Sequence, residues 1–227
     1  MSMAHDSTEF TEFMSLIWND GGPETYAKVA SNYELLLKSV NWLSMAPRSV
    51  CEKWQALHAD VVNSKNTNYA EKHRIFDAGC GTGFVAEVFR DLKLPTNLVE
   101  IFGGDFSPDM LSKARAKNIY TDLQVVNLKE SLPYEPGFFN SIVSAGVFTP
   151  AHCGPECLPN LTQILKNGGY LILTCIGYSD KECYDEDVAV QWKRQIRECN
   201  CELIEDNPMP YRDGLEKGAV LVIRKTY

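Results

Sequence analysis

The sequence has no long hydrophobic run and no excess of basic residues. Its longest apolar stretch, residues 170–178, has the length of a strand and falls far short of the roughly 20 residues that span a membrane. With 22 lysines and arginines against 30 aspartates and glutamates, the formal net charge is −8. Such a surface repels polyphosphates. We therefore expect neither a membrane nor a nucleic acid as partner.

A secretory signal and a disulfide scaffold are also not expected. Residues 1–13 carry Asp6, Glu9 and Glu12 where a signal peptide would carry positive charge followed by an apolar run. The eight cysteines are scattered over 227 residues, a chain too long to need disulfides for its stability. Reduced thiols and a cytoplasmic location are the expectation. This length and 44% hydrophobic content suit one or two domains.

The first part of the chain is predicted to be helical. Apolar side chains recur at spacings of three and four from residue 7 to about residue 63. Gly21-Gly22-Pro23 separates the first two helices, and Pro47 and the polar stretch 63–68 bracket a third that contains Trp54. The members of the first helix include Phe10, Phe13, Met14 and Ile17.

After His73, short apolar runs alternate with helical stretches, which predicts βαβ units and a parallel sheet. The last two strands are close enough to pair as an antiparallel hairpin. The predicted strands are residues 73–78, 98–105, 123–126, 141–145, 170–175, 202–205 and 219–224. The predicted helices are residues 83–92, 108–117 and 155–165, the last ended by Asn167-Gly168-Gly169, and one more beyond residue 185.

A glycine-rich turn joins the first of these strands to the first helix. Gly79, Gly81 and Gly83 alternate there, and such glycines let an anionic ligand approach the amides at a helix N-terminus. Asp105 follows Gly83 by 22 residues, close to the roughly 20 expected for a carboxylate that binds ribose hydroxyls. The spacing differs from the G-x-G-x-x-G of nicotinamide enzymes, which makes a dehydrogenase the less favoured interpretation.

With Asp77 two residues before the first glycine, the turn resembles motif I, D/E-x-G-x-G-x-G, of the class I S-adenosylmethionine (SAM) methyltransferases. The resemblance covers residues 76–224. It implies an α/β Rossmann-like fold whose seven-stranded sheet is mostly parallel with an antiparallel last strand. Residues 71–227 would form the SAM-binding domain and residues 1–70 a helical lid. Gly79, Gly81 and Gly83 would cradle the methionine end of SAM, with Asp77 orienting the loop and the amino group.

Further segments resemble later motifs of that family in the same order. In GGDFSPDML, residues 103–111, the resemblance implies that Asp105 binds both ribose hydroxyls while Phe106 and Met110 flank the adenine. Asn127 and Leu128 stand where the family usually has an acidic residue beside the adenine; the amide of Asn127 can still accept a hydrogen bond. Ser144 lies near the end of the fourth predicted strand, and in the family that end faces the sulfonium.

Two segments resemble a narrower group, the Williams–Beuren-region methyltransferase-like proteins. They are YAKVASNYE at residues 26–34 and GVFTPAHCGPE at residues 146–156. In this reading Tyr33 lines the cofactor site, and Tyr26 and Tyr211 are candidate substrate contacts. Aromatic residues at helical spacing also pack in cores, and that alternative stays open for Tyr26 and Tyr33, whereas Tyr211 lies in the loop before the last predicted strand.

The resemblance implies methyl transfer from SAM to an N, O or S atom of a small molecule. Such a displacement depends mainly on positioning, and a base is needed only when the nucleophile arrives protonated. His152, just past the fourth strand, is the candidate base, although a loop histidine bonded to the backbone is the alternative. A SAM-binding sensor or the partner of a catalytic subunit is the second hypothesis. We expect a monomer or weak homodimer.

No metal is expected. A zinc site at His152-Cys153 with Cys157, or at Cys199 with Cys201, is the less favoured alternative, because structural zinc prefers paired C-x₂₋₄-C segments and Cys201 is expected to enter a strand. Ser144-Ala145 supplies no acidic ligand of the kind that metal-dependent methyltransferases place after the fourth strand. The D/N-P-P-Y turn of enzymes that methylate DNA amino groups is also absent from that position.

Overall fold

The computed structural model describes residues 12, 15, 22–29, 31–39, 42–64, 71–149, 152–176, 186–211 and 218–227. The predicted helix around Phe10, Phe13, Met14 and Ile17 lies outside these residues except for positions 12 and 15, which are helical. The described α-helices are α1 Pro23–Val29, α2 Tyr33–Ser39, α3 Trp42–Leu57, α4 Ala59–Val62, α5 Phe84–Asp91, α6 Pro108–Ala116, α7 Leu158–Ile164 and α8 Glu186–Glu198.

Seven strands form one sheet in the order β3-β2-β1-β4-β5-β7-β6. The first five pair in parallel, and β7 runs antiparallel to both of its neighbours. The predicted Rossmann-like sheet with an antiparallel last strand is thereby confirmed. The strands are β1 His73–Ala78, β2 Val99–Asp105, β3 Asp122–Val125, β4 Phe139–Phe148, β5 Leu165–Ile176, β6 Cys201–Met209 and β7 Gly218–Lys225.

Two predicted boundaries are wrong. Pro47 lies inside α3, which begins at Trp42, rather than before it. Gly168-Gly169, predicted to end the helix of residues 155–165, lies inside β5. That predicted helix is instead a 3₁₀ turn, Pro155–Cys157, followed by α7, which ends at Ile164. Gly168 has a φ of 78° and lies where the register between β4 and β5 shifts. The glycine therefore permits an irregular backbone near the start of β5.

The helices before the sheet divide into two sets. In α3, Val50, Cys51 and Trp54 are fully buried, and the helix packs on β4, β5 and α5 in the same core as the sheet. The short α1 instead packs against α6, beside the carboxyl ends of the strands. The division into a lid of residues 1–70 and a domain of residues 71–227 stays a prediction.

The order of the strands determines where a ligand can bind. β1 has β2 on one side and β4 on the other, so the chain crosses the sheet in opposite directions from this point. Open α/β sheets bind ligands at the carboxyl ends of the strands at such a switch. The glycine turn after β1, Asp105 at the end of β2 and the loop after β4 all meet there.

Candidate active site

The turn after β1 exposes backbone toward open space. Gly79 and Gly81 have φ values of 71° and 52°, in the left-handed region that favours glycine. A Cβ on Gly79 would clash with a methyl carbon of Val147, whereas a Cβ on Gly81 would meet no atom within 4 Å. Gly83 is the N-cap residue of α5. A side chain at Gly81 would therefore project into space that a ligand can use.

Asp105 ties this turn to the start of α6. One carboxylate oxygen accepts a hydrogen bond from the Gly81 N–H at 2.9 Å, and the other accepts one from the Ser107 N–H at 2.9 Å. Ser107 in turn caps α6 through the Met110 N–H. Burial raises the pKa of Asp105 to about 6, against the opposing effect of these N–H donors.

Asp77, near the end of β1, is fully buried. Its Oδ2 accepts a hydrogen bond from the Tyr120 hydroxyl at 2.6 Å, and its Oδ1 has no hydrogen-bond partner among the described residues. Burial raises the pKa of Asp77 to about 7, although the Tyr120 bond opposes this. Tyr120 precedes β3, and no pattern in the sequence marks it as part of the site.

A cavity of about 310 Å³ lies over the glycine turn. Ten predicted site residues line it: Tyr26, Tyr33, Gly79, Gly81, Asp105, Phe106, Met110, Asn127, Leu128 and His152. The lining also includes Val126, Lys129, Ala145, Gly146, Val147 and Cys153. Four predicted site residues, Asp77, Gly83, Ser144 and Tyr211, are not part of the lining.

Ser144 and Tyr211 have other positions. The Ser144 hydroxyl is buried and donates a hydrogen bond to the Ala78 carbonyl at 2.7 Å, linking β4 to β1. Tyr211 is buried in the core that contains α3, and it lies close enough to Tyr26 and Tyr33 to contribute to the raised pKa of both phenols. Both residues therefore lie behind the cavity wall.

Three aromatic rings from three elements pack together at the cavity. Tyr26 of α1 contacts Tyr33 of α2 with ring centroids 5.9 Å apart and Phe106 with centroids 5.5 Å apart, both edge to face. These contacts bring the two short N-terminal helices against the turn after β2. Burial raises the pKa of Tyr26 and of Tyr33, so both phenols keep their protons at neutral pH.

His152 is hydrogen-bonded at both ring nitrogens. Its Nε2 lies 2.9 Å from the Tyr26 hydroxyl and its Nδ1 lies 2.7 Å from the Thr149 hydroxyl. Burial lowers the pKa of His152, and the positive charge of Lys129 lowers it further. The imidazole is therefore neutral at neutral pH and has one lone pair that can accept a proton. Thr149 was not predicted from the sequence.

Asn127 and Lys129 form the turn after β3. The Asn127 amide donates to Glu130 at 2.8 Å and accepts from the Lys129 N–H at 3.1 Å. Lys129 also forms an ion pair at 3.5 Å with Glu156, which lies in the 3₁₀ turn Pro155–Cys157. An amide therefore serves here as a local turn cap, and its oxygen keeps one lone pair for a ligand.

The described residues contain neither a cluster of metal ligands nor a membrane-spanning helix. Within the part of the chain that the structure describes, no three His, Cys, Asp or Glu side chains group together as a metal site would require. No described helix is both long enough and apolar enough to cross a membrane. The expectation that the protein uses no metal stays a prediction.

Comparisons with known proteins agree with this geometry. Residues 76–173 match the family model described as a methyltransferase domain. Human methyltransferase-like protein 27 is 33% identical over 113 residues, 49% of this chain and 44% of the relative. Demethylmenaquinone methyltransferase from Thermus thermophilus is 28% identical over 151 residues, 65% of this chain and 62% of the relative. The matched segments thus span less than two thirds of either relative.

Among solved structures, an S-adenosyl-L-methionine-dependent methyltransferase from Methanococcus maripaludis superimposes with a TM-score of 0.58. The superposition covers 88% of this chain and 94% of that one at 16% identity, which supports the fold. The sequence motifs predicted the glycine turn, Asp105 and a seven-stranded, mostly parallel sheet with an antiparallel last strand. Residues 76–173 are therefore similar to the methyltransferase domain family, and the fold is similar to that of a SAM-dependent methyltransferase.

Proposed function

We propose that the protein transfers a methyl group from SAM to an N, O or S atom of a small molecule. The observation that carries this proposal is the cavity at the switch point, lined by Gly81, Asp105 and His152 together. It combines a backbone surface for a cofactor with a hydrogen-bonded base on the opposite wall.

The residues present fit SAM. The open space beside Gly81 suits the methionine end, and the unpartnered Oδ1 of Asp77 can accept a hydrogen bond from the loop or the cofactor when a ligand binds. Each oxygen of Asp105 accepts one backbone N–H and keeps a lone pair for a ribose hydroxyl. Phe106, Met110 and Leu128 supply an apolar surface for the adenine.

When bound, SAM supplies an electrophilic methyl group on a sulfonium whose leaving group, a neutral thioether, needs no proton. The work left to the protein is to position a nucleophile and to accept its proton when it carries one. His152 suits the second task because its lowered pKa keeps the ring neutral near pH 7. Tyr26, Tyr33 and Phe106 line the cavity, and the face of an aromatic ring favours a cationic centre nearby.

The size of the cavity supports a small substrate. Its volume of about 310 Å³ is at the low end of the roughly 300–1,000 Å³ of ligand sites, and the cofactor must occupy part of it. The net charge of −8 favours a substrate other than nucleic acid. The seven described cysteines form no disulfide, which is consistent with a reducing, cytoplasmic location. We propose a monomer or weak homodimer.

Isothermal titration with SAM and S-adenosylhomocysteine tests the foundation of this proposal. We expect saturable binding of both, and no binding at about 1 mM would overturn it, because that concentration exceeds most cofactor requirements. Gly81→Val is the matched control, since its side chain would fill the open space beside the turn.

A second function, SAM binding without turnover by a sensor or partner subunit, is favoured by one observation. Asn127 is part of a local turn with Glu130 where the family usually has an acidic adenine contact. Incubation with methyl-labelled SAM and a small-molecule extract separates the two functions. A labelled product supports the enzyme, and binding without any product supports the sensor.

A further inference from the structure

A continuous chain of hydrogen bonds leads from the cavity into the protein. It runs from the Tyr26 hydroxyl to His152 Nε2 and from His152 Nδ1 to the Thr149 hydroxyl. Backbone bonds fix its inner end, because the His152 N–H donates to the Thr149 carbonyl at 3.1 Å and the Thr149 N–H donates to the Val147 carbonyl at 3.0 Å. Tyr26 and His152 line the cavity, and Thr149 is buried behind them.

The number of protons in this chain allows two arrangements. A neutral imidazole carries one N–H and one lone pair, and each hydroxyl carries one proton. If Nδ1 is protonated, it donates to Thr149, and Tyr26 donates to the lone pair of Nε2. If Nε2 is protonated, it donates to Tyr26, and Thr149 donates to Nδ1. Only the first arrangement leaves Nε2 able to take a proton through Tyr26.

We propose that Tyr26 receives the proton of the methylated nucleophile and passes its own to His152, while Thr149 holds His152 in the Nδ1-protonated tautomer. This inference rests on the proposed methyl transfer and deepens it. Tyr26 is then a catalytic residue that touches substrate, His152 accepts the proton through it, and Thr149 is a positioning residue.

The lone pair of the nucleophile forms the bond to the methyl carbon, and the pair of the breaking carbon–sulfur bond remains on sulfur. The proton of the nucleophile moves to the Tyr26 oxygen as the phenolic proton moves to His152 Nε2. The imidazolium that results is held by Thr149, which still accepts from Nδ1–H, and it later loses its proton to solvent.

This proton transfer from the nucleophile through Tyr26 to His152, called the relay below, also specifies a substrate class. A nucleophile that has no proton to lose, such as a thioether or a tertiary amine, gains nothing from it. A hydroxyl, a thiol or an amine that gives up a proton on methylation does. We therefore infer that the methylated atom carries a proton when it enters the cavity.

Nitrogen-15 NMR of the full-length labelled protein with S-adenosylhomocysteine reads the tautomer without any turnover. His152 is assigned by comparison with His152→Ala. We expect His152 to carry its proton on Nδ1, with Nε2 unprotonated, in the wild type and in Thr149→Ser. Thr149→Val, in which valine has nearly the shape of threonine, should lose that preference. A wild-type His152 that carries its proton on Nε2 would overturn the inference.

Turnover with methyl-labelled SAM tests the catalytic role. Tyr26→Phe should lower kcat about 100-fold and Thr149→Val about tenfold, with KM for SAM little changed and Thr149→Ser close to wild type. Tyr134→Phe is the matched control, because the Tyr134 hydroxyl has no hydrogen-bond partner among the described residues and lies outside the cavity. It should leave kcat unchanged.

The two proposals fail in different ways. A wild-type protein that binds S-adenosylhomocysteine and methylates nothing would overturn the proposed function. An active wild type with a normal kcat in Tyr26→Phe would overturn the relay alone.

Discussion

The buried polar groups at the two ends of the parallel strands differ in whether they have hydrogen-bond partners within the described structure. At the amino end, Trp54 donates to the Ser141 hydroxyl at 2.6 Å, and His73 Nε2 lies 2.9 Å from the same oxygen. His58 stacks on Trp54 with ring centroids 4.6 Å apart and bonds the Trp54 carbonyl through Nδ1. At the carboxyl end, Asp77 keeps a buried oxygen with no described partner. The first arrangement is complete without a ligand, and the second is not.

This difference separates stability from function along one sheet. Groups that satisfy one another stabilise the fold, whereas an unpaired buried carboxylate lowers stability until a ligand binds it. Substitutions at the carboxyl end should therefore change binding and catalysis, and substitutions at the amino end should change stability alone.

The largest expected effect is the loss of cofactor binding in Asp105→Ala. The variant removes the acceptor of the Gly81 and Ser107 N–H groups together with the proposed ribose contact. We expect the Kd for SAM to rise at least about 100-fold, roughly 3 kcal/mol, in isothermal titration. Asp109→Ala, an exposed acid on α6, is the control. A Kd within tenfold of wild type would contradict the assignment.

His152→Ala should affect turnover and spare binding. The ring contributes a proton acceptor but no predicted contact with the cofactor, so we expect kcat to fall about 100-fold. The Kd for SAM, measured by titration, should change less than threefold. A normal kcat with the labelled cofactor would show that His152 is not the base.

Asp77→Asn should separate stability from binding at a single residue. The amide can still accept the Tyr120 hydroxyl bond, and it removes the ionisation that burial opposes. We expect the ligand-free protein to gain about 1–3 kcal/mol at pH 8 in urea denaturation while SAM binding weakens. A variant that is less stable than wild type at this pH would show that the Asp77 charge is compensated.

Trp54→Phe tests the amino end. The substitution keeps an aromatic ring in the core but removes the indole N–H that Ser141 accepts. We expect a loss of about 1–3 kcal/mol of unfolding free energy, since the hydroxyl is left with one partner fewer in a buried position. Binding of S-adenosylhomocysteine should stay within threefold. A large change in binding would mean that the two ends are coupled.

The sequence predicted the carboxyl end far better than the amino end. Gly79, Gly81 and Asp105 follow one another in a local pattern that spacing can identify, and the alternation of strands and helices predicts the parallel part of the sheet. Trp54, His73 and Ser141 are far apart in the chain, and the pairing of β1 with β4 and the packing of α3 on β4 bring them together.

Side-chain direction limited the prediction within the site itself. Ser144 lies at the predicted end of β4, yet its hydroxyl points to the Ala78 carbonyl while Ala145 and Gly146 line the cavity. Because neighbouring residues of a strand face opposite sides, an error of one position reverses the assignment. Thr149 and Tyr120 act through contacts with His152 and Asp77 that no local pattern encodes.

The smallest expected effect is the pH dependence of the free energy of unfolding, to which buried groups at both ends of the strands contribute. Burial and the nearby His58 lower the pKa of His73 to about 3, so the stability that its neutral form provides is complete above its ordinary pKa of 6.5 and is lost toward pH 3. The pKa of Asp77 is raised from 3.8 to about 7, so its contribution is present below pH 3.8 and is lost as the pH rises to 7.

Between about pH 4 and pH 6.5 the two contributions to stability change with pH in opposite directions. Asp105 adds to the effect of Asp77 because its pKa is also raised, and His58 adds to the effect of His73 because its pKa is also lowered. Urea denaturation of the wild type should therefore vary little with pH in this window. In Asp77→Asn the free energy of unfolding should rise with pH, and in His73→Gln it should fall. If both variants keep the wild-type profile, the buried groups at the two ends do not titrate with folding, and the contrast between them concerns hydrogen bonding alone.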